Sequence, residues 1–457
     1  MNQLKLVFDK VVSWLRKQTA VRVILLGYIV IILTGTLLLC LPFASRAAGS
    51  VAFSDAFFTA ASATCVTGLI RFDTFTTWTL FGQIVILVMI QIGGVGFMTL
   101  ALSLLTARGR NANLRARMLM QDSISAFQLG GIEQITRFII KMTAIVEGIG
   151  AVLLAFYYIP LAGAARGIWY SVFHSVSAFC NAGFDLMGSV QPYSSTTSVV
   201  GNVYVNVVLM LLIVVGGLGF FVWKDLLKTR FSFKNLRLHS KIVIVTSLTL
   251  IAVGAVSIFV LEQGKPGFAG TGVKEQILGS LFQSVSARTA GFNSMDISTF
   301  TTASQLILIV LMLIGGSPGS TAGGMKTTTF AIMFLNVRSI SRNRKNVEVY
   351  HRTIPDRAVR TAYCVMTLYV VLVIIASVVI SHLDGVPILT SFFESVSAIA
   401  TVGTTLGITG QICLASKLII TVLMIFGRVG SLTMLMAFAW GKKGIPGRFP
   451  EEDVAIG

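Results

Sequence analysis

Four tetrapeptides carry the chemistry available to this chain: CVTG (65–68), CNAG (180–183), RTAG (288–291) and ATVG (400–403). Each ends on glycine and none contains a carboxylate. Each closes a longer related segment, SATCVTG, SAFCNAG, SARTAG or SAIATVG, the third being one residue shorter than its siblings. A dehydrated monovalent cation needs a ring of oxygens in place of its hydration shell, with no full anion to trap it. Backbone carbonyls supply such a ring where the chain accepts the unusual φ and ψ that aim them inward, and glycine permits this at little steric cost. The pattern predicts four carbonyl-bearing loops around one axis, a cage suited to K+.

Such loops need elements to hold them at depth. The chain has 457 residues, 54% hydrophobic and only 12% charged, with mean hydropathy +0.83. Soluble globular chains carry about 25% charged residues, so this one belongs in lipid. Long apolar stretches at 21–42, 136–160, 240–261 and 361–383 each precede a short segment, and others at 78–105, 203–223, 304–335 and 416–440 follow one. The long stretches reach the roughly 20 residues that cross a hydrocarbon core, whereas the short segments are too brief to span and too apolar for water. Non-helical backbone at that depth survives only inside protein or along a water-filled cavity. The expected fold is an all-α integral membrane protein of four helix–pore loop–helix repeats around a central pore, with eight transmembrane helices and four re-entrant pore helices. Its organisation reads as an amphipathic helix at 1–20, repeats at 21–105, 136–223, 240–335 and 361–440, and a tail at 441–457.

Charge supports this topology. The net charge is +18. Most Lys and Arg fall on the side of the N-terminus and the loops joining repeats, which the positive-inside rule assigns to the cytoplasm together with both termini. Anionic membrane lipid is the natural partner of that excess. No nucleic-acid-binding motif accompanies it. The outer loops, with Asp55, Asp73, Asp185 and Asp296 among their acids, are mildly negative and suited to gathering cations. Five scattered cysteines give neither a disulfide framework nor a transition-metal spacing.

The second stretches share a glycine core, QIGGVGF, VVGGLGF, LIGGSPG and IFGRVGS. The third runs on as GGSPGSTAGGMKTTT (315–329), where Pro318 breaks the helical ladder and Gly315, Gly316, Ser317, Gly319, Gly323 and Gly324 keep it from re-forming. Lys326 falls near mid-span, and an intramembrane charge marks function by default. A phosphate-binding loop is excluded there, because Met325 breaks the spacing and no strand precedes it. Arg428 stands where repeats one and two carry glycine and is expected to hydrogen-bond carbonyls of the 315–329 loop. Arg288 reads as a brace on filter-supporting carbonyls or on a carboxylate such as Glu394, and Glu147 as paired within the bundle. A carrier of another solute would show two inverted halves, and an intramembrane enzyme would show HExxH, GxSxG or paired aspartates. Neither pattern is present in the sequence.

The four-fold plan, with SARTAGFNS, SAFCNAGF, TVGTTLG and the closing FPEEDVAIG, resembles the Trk/Ktr/HKT superfamily of K+ transporters, the Ktr membrane subunits most of all. The resemblance covers essentially the whole chain. It implies a filter of carbonyls from Cys65, Val66, Thr67, Gly68, Cys180, Asn181, Ala182, Gly183, Thr289, Ala290, Gly291, Ala400, Thr401, Val402 and Gly403, shorter than that of K+ channels. It implies an intramembrane gate below the filter, built from Gly315, Gly316, Ser317, Pro318, Gly319, Gly323, Gly324 and Lys326 with Arg428. It also implies a homodimer in a bacterial cell membrane, docked on a KtrA-like cytosolic RCK-type nucleotide-binding ring. The basic loops 108–117, 224–241 and 338–360 are candidate contacts, as is the acidic tail 449–457. No cofactor belongs to the chain itself: K+ is cargo, many members depend on Na+, and ATP or ADP acts through the ring.

Overall fold

A computed structural model describes residues 18–47, 49, 51–107, 118–121, 131–430 and 452. The expected amphipathic helix at 1–20, the loop 108–117 and the tail 441–457 lie almost entirely outside the described residues, as does 431–440.

Four long helices begin the four repeats: α1 (Ala20–Leu39), then, further along the chain, Ile132–Ala162, Leu238–Leu261 and Asp356–Asp384. All are apolar and long enough to cross a membrane. In repeat one, α1 is followed by the short α2 (Phe53–Cys65), by α3 (Leu80–Val95) and by α4 (Phe97–Ala107). Repeat two has α5 (Ile132–Ala162), α6 (Ala164–Phe179), α7 (Val203–Leu218) and α8 (Phe220–Lys228). Repeat three has α9 (Leu238–Leu261), α10 (Val273–Ser286), α11 (Thr302–Leu313) and α12 (Thr327–Ser341). Repeat four has α13 (Asp356–Asp384), α14 (Ile388–Ile399) and α15 (Leu414–Val429). A two-residue-per-strand hairpin, β1 (Glu348–Val349) and β2 (Arg352–Thr353), links α12 to α13.

The second stretches are not the continuous helices expected. Helix α3 has 16 residues, about 24 Å at 1.5 Å per residue and short of a ~30 Å hydrocarbon core. The chain then turns by 88° into α4, and α7 turns by 93° into α8. The cause is a single residue type at the corner. Gly96, Gly219 and Gly430 have φ of 88°, 95° and 96° with extended ψ, a region closed to side chains with a Cβ. The GG-x-G signal therefore encodes a corner, not flexible packing within a straight helix. In repeat three the corner is replaced by the loop between α11 and α12. Counting each bent pair as one span, six helices among the described residues meet the length and hydropathy of a crossing, with α11 and α14 apolar but shorter.

The first glycine of that signal sets a separate distance. The carbonyl oxygens of Thr64, Phe179 and Ile399, at the ends of α2, α6 and α14, occupy the space where a Cβ would stand on Gly93, Gly216 and Gly427. Backbone thus touches backbone, as small residues allow between membrane helices. Repeats four and one are joined by Lys417 at the start of α15, whose Nζ lies 2.9 Å from Asp55 Oδ1 on α2; Arg71 also pairs with Asp55.

Candidate functional site

The four short helices end in one way. The residue two before the closing glycine is left-handed in each repeat: Val66 (φ 56°), Asn181 (57°), Thr289 (72°) and Thr401 (52°). For β-branched Val66, Thr289 and Thr401 this conformation is an outlier, a strain of order 1–3 kcal/mol that the surrounding structure must hold. The next amide bonds back to the opening serine in three repeats: Thr67 N to Ser62 O, Ala182 N to Ser177 O and Val402 N to Ser397 O, all at 2.8 Å. Repeat three, one residue shorter, closes a tighter turn, with Ala290 N bonded to Ser286 O at 2.9 Å.

The closing glycines, Gly68, Gly183, Gly291 and Gly403, also have positive φ, from 71° to 94°, and they touch one another. A Cβ on Gly68 would stand 3.2 Å from Gly183 Cα, one on Gly183 2.8 Å from Gly291 Cα, one on Gly291 3.5 Å from Gly403 Cα, and one on Gly403 2.8 Å from Gly68 Cα. The four form a closed ring in chain order. Carbonyls of the neighbouring loops, those of Ala182, Ala290, Val402 and Thr67, lie in the same contacts. The site residues named from the sequence therefore come together: Cys65, Val66, Thr67, Cys180, Asn181, Ala182, Thr289, Ala290, Ala400, Thr401 and Val402 are all buried around this ring.

Above the ring opens a cavity of about 810 Å³, lined by all four glycines together with Arg71, Asp185 and Asp296. Two acids against one base leave it negative once both acids are ionised. Burial, with the charge of Asp73 nearby, pushes the Asp185 carboxyl up to about 7, against the pull of the Met187 amide that hydrogen-bonds it.

Below the ring the 315–326 loop touches repeats two and four and is tied to repeat one through Arg428. Ser317 N donates to Gly217 O (3.0 Å), Phe220 N to Gly319 O (2.8 Å) and Thr321 Oγ1 to Phe179 O (2.9 Å) in repeat two. Gly324 N donates to Gly427 O (3.3 Å) in repeat four, and Gly323 packs on the Thr401 side chain. Arg428 donates to Thr321 O of the loop and, through its other terminal nitrogen, to Gly93 O and Gly94 O of repeat one (2.9 Å to the latter). Lys326 closes the loop on itself, Nζ donating to Ala322 O at 2.8 Å and Gly323 O at 3.4 Å. Gly315, Gly316, Ser317, Pro318, Gly319 and Gly324 complete this segment.

One expected contact is corrected. Arg288 does not meet Glu394. Its Nη2 donates to Ser247 Oγ of α9 at 3.0 Å, so it reaches outward to the first helix of its own repeat. Glu394 instead accepts hydrogen bonds from Thr405 (2.8 Å) and Thr409, bracing the chain just after the fourth glycine. Equivalent positions do the same work with other chemistry: His174 Nε2 accepts from Leu186 N (3.3 Å), and Gln283 bonds the backbone at Met295 (3.3 Å). The sequence reading missed these braces and the four serines. Ser62 and Ser397 accept from Gly68 N (3.1 Å) and Gly403 N (3.0 Å), while Ser177 and Ser286 donate to Phe184 O (2.6 Å) and Phe292 O (2.5 Å). The signal was the "SA" shared by all four segments. Glu147 pairs within the bundle as expected, accepting from Gln91 at 3.0 Å. Among the described residues, no group of three His, Cys, Asp or Glu side chains has transition-metal geometry.

The family model described as a cation transport protein, TrkH, matches residues 8–443. The chain is 35% identical to the potassium/sodium uptake protein NtpJ of Enterococcus hirae, over 97% of this chain and 98% of that one. It is 36% identical to the Ktr system potassium uptake protein B of Bacillus subtilis, over 98% and 99%. The crystal structure of the potassium transporter TrkH from Vibrio parahaemolyticus shares the fold, with TM-score 0.71 at 19% identity, covering 93% of this chain and 86% of that one. Relatives and structural neighbour alike are transporters and not enzymes, and the chain is a multi-pass membrane protein that belongs to the Trk/Ktr family of cation transport proteins.

Proposed function

We propose that this chain is the ion-translocating membrane subunit of a bacterial K+ uptake system. The closed ring of four left-handed glycines beneath a negative vestibule carries this reading. K+ sheds its water there and exchanges it for the carbonyls of Cys65 to Gly68, Cys180 to Gly183, Thr289 to Gly291 and Ala400 to Gly403. With one glycine per loop the cage is short, and the Enterococcus relative, named for both potassium and sodium, supports Na+ as a second ion of the cycle. The loop from Gly315 to Lys326 lies against the inner end of Thr401 and is the gate, held in place by Arg428.

The chain sits in the cell membrane with both termini in the cytoplasm, as a homodimer on a KtrA-like nucleotide-binding ring, through which ATP or ADP acts. The relative named as component B of a Ktr system supports a multi-component assembly. The decisive experiment is growth of a K+-uptake-deficient bacterium at low K+, with and without this gene and a KtrA-type partner. Restored growth and Rb+ uptake are expected; no uptake from a protein that reaches the membrane overturns the reading.

A further inference from the structure

The interface between repeats one and two carries a polar cluster absent from the equivalent place in repeat three. Helix α5 meets α6 where Ser175 Oγ donates to Glu147 O (2.7 Å), and α9 meets α10 where Ser284 Oγ donates to Ile251 O (2.8 Å). Gly150 packs on Ser175 as Gly254 packs on Ser284, three residues on in each case. Glu147 is therefore the counterpart of Ile251, a carboxyl side chain where its sibling is aliphatic.

Gln91 is out of pattern too. It stands two residues before Gly93, where the other repeats carry Val214, Leu313 and Ile425. The two odd residues find each other, with Gln91 Nε2 donating to Glu147 Oε2 at 3.0 Å. Between them sits the thiol of Cys180, 3.7 Å from Glu147 Oε1 and 3.6 Å from Gln91 Oε1. Space for it exists because Gly94 has no Cβ, which would stand 2.5 Å from that sulfur. Cys180 opens the second carbonyl loop and is fully buried.

We propose that Glu147 and Gln91 are positioning residues that fix the second filter loop from behind through Cys180, and that this clamp sets the preference of the ring between K+ and Na+. The proposal rests on the filter reading above. A buried side chain that exchanges a hydrogen bond for a void lets its backbone drift, and a carbonyl cage that can contract discriminates less against the smaller ion.

K+ and Na+ affinities of the purified full-length chain, measured by isothermal titration calorimetry, test it, with maximal Rb+ uptake in cells as the second readout. Glu147→Ile, Cys180→Ala and Gln91→Val should each lower the K+/Na+ affinity ratio by about fivefold, the scale of one net hydrogen bond, with maximal uptake changed by less than about twofold in Glu147→Ile and Gln91→Val, which lie outside the filter loops. Glu147→Gln, which keeps an acceptor for the thiol, should restore most of the ratio. Glu147→Ile combined with Cys180→Ala should do no more than either alone, because both act through one contact. Where Glu147→Ile fails to accumulate in the membrane, Cys180→Ala and Gln91→Val carry the test. Unchanged ratios in these variants, or shifts that add in the double variant, overturn the proposal. Gly183→Ala separates that outcome from failure of the filter reading: a ratio insensitive to Gly183 as well sinks the filter, whereas sensitivity at Gly183 alone sinks only the clamp.

Discussion

At the glycine ring the four repeats are near copies, and just beneath it they are not. The upper level repeats one pattern four times: a left-handed residue, one intervening residue and a glycine of positive φ, with an opening serine behind. The lower level has glycine corners at Gly96 and Gly219 and the same glycine conformation at Gly430, but a 12-residue departure in repeat three and an arginine in repeat four where repeats one and two have Gly94 and Gly217. An ion held by carbonyls needs equal oxygens from all sides. A barrier needs only one element that can be in or out of the way. On the proposed function, symmetry above and asymmetry below separate selecting from gating.

The largest effect should come from breaking the symmetric level. A Cβ on Gly403 would collide with Thr67 O, and the positive φ adds strain of 1–3 kcal/mol, so Gly403→Asp should lower Rb+ uptake by about tenfold or more. Gly407 is the control, with nearly the same φ of 94° but nothing within 4 Å of a Cβ; Gly407→Ala should cost stability and leave uptake largely intact. Equal loss in both would mean that φ alone, not ring closure, is what matters.

Removing the asymmetric element should act in the opposite direction. Deleting 319–323 removes the segment that bonds repeats two and four and should raise the Rb+ flux by about tenfold, with the Rb+/Na+ ratio unchanged, as expected of a closed state favoured by 1–2 kcal/mol. Flux no greater than that of the intact chain would show that the loop is no barrier. Arg428→Ala frees only one tether of the same loop, and a rise of about threefold in flux is expected. The smallest effect belongs to the vestibule. Asp185, raised to about 7 by burial, is neutral below that pH and charged above it. The apparent affinity for K+ should improve by roughly twofold between pH 6 and 8 as the second vestibule acid ionises, and Asp185→Asn should flatten that profile. A slope that survives in Asp185→Asn would place the titrating group elsewhere.

Much of this was legible in the sequence because composition and recurrence are themselves physical constraints. Long helices follow from apolar runs of spanning length, and convergence of the loops follows from four glycines in one context. Three features were not legible. The corners at Gly96 and Gly219 look, in sequence, like glycines that ease packing, since φ is not written in residue type. The partners of Arg288 and Glu394 depend on which way each short helix faces: one turns toward Ser247, the other toward Thr405 and Thr409, and spacing alone leaves that rotation open. The serines were written four times over, yet a small polar residue in a buried helix declares its role only once its acceptor is known.

The lower level has a consequence for how such a pathway can be assembled. In a ring of four separate identical subunits, every residue is imposed on all four sides. An arginine at position 428 would become four arginines crowding one axis, and the 315–326 loop would become four loops competing for the same space. Placing the four quarters in one polypeptide releases each to diverge without consulting the others. Here that freedom is used twice, for a loop in the third quarter and for the guanidinium in the fourth that ties it to the first.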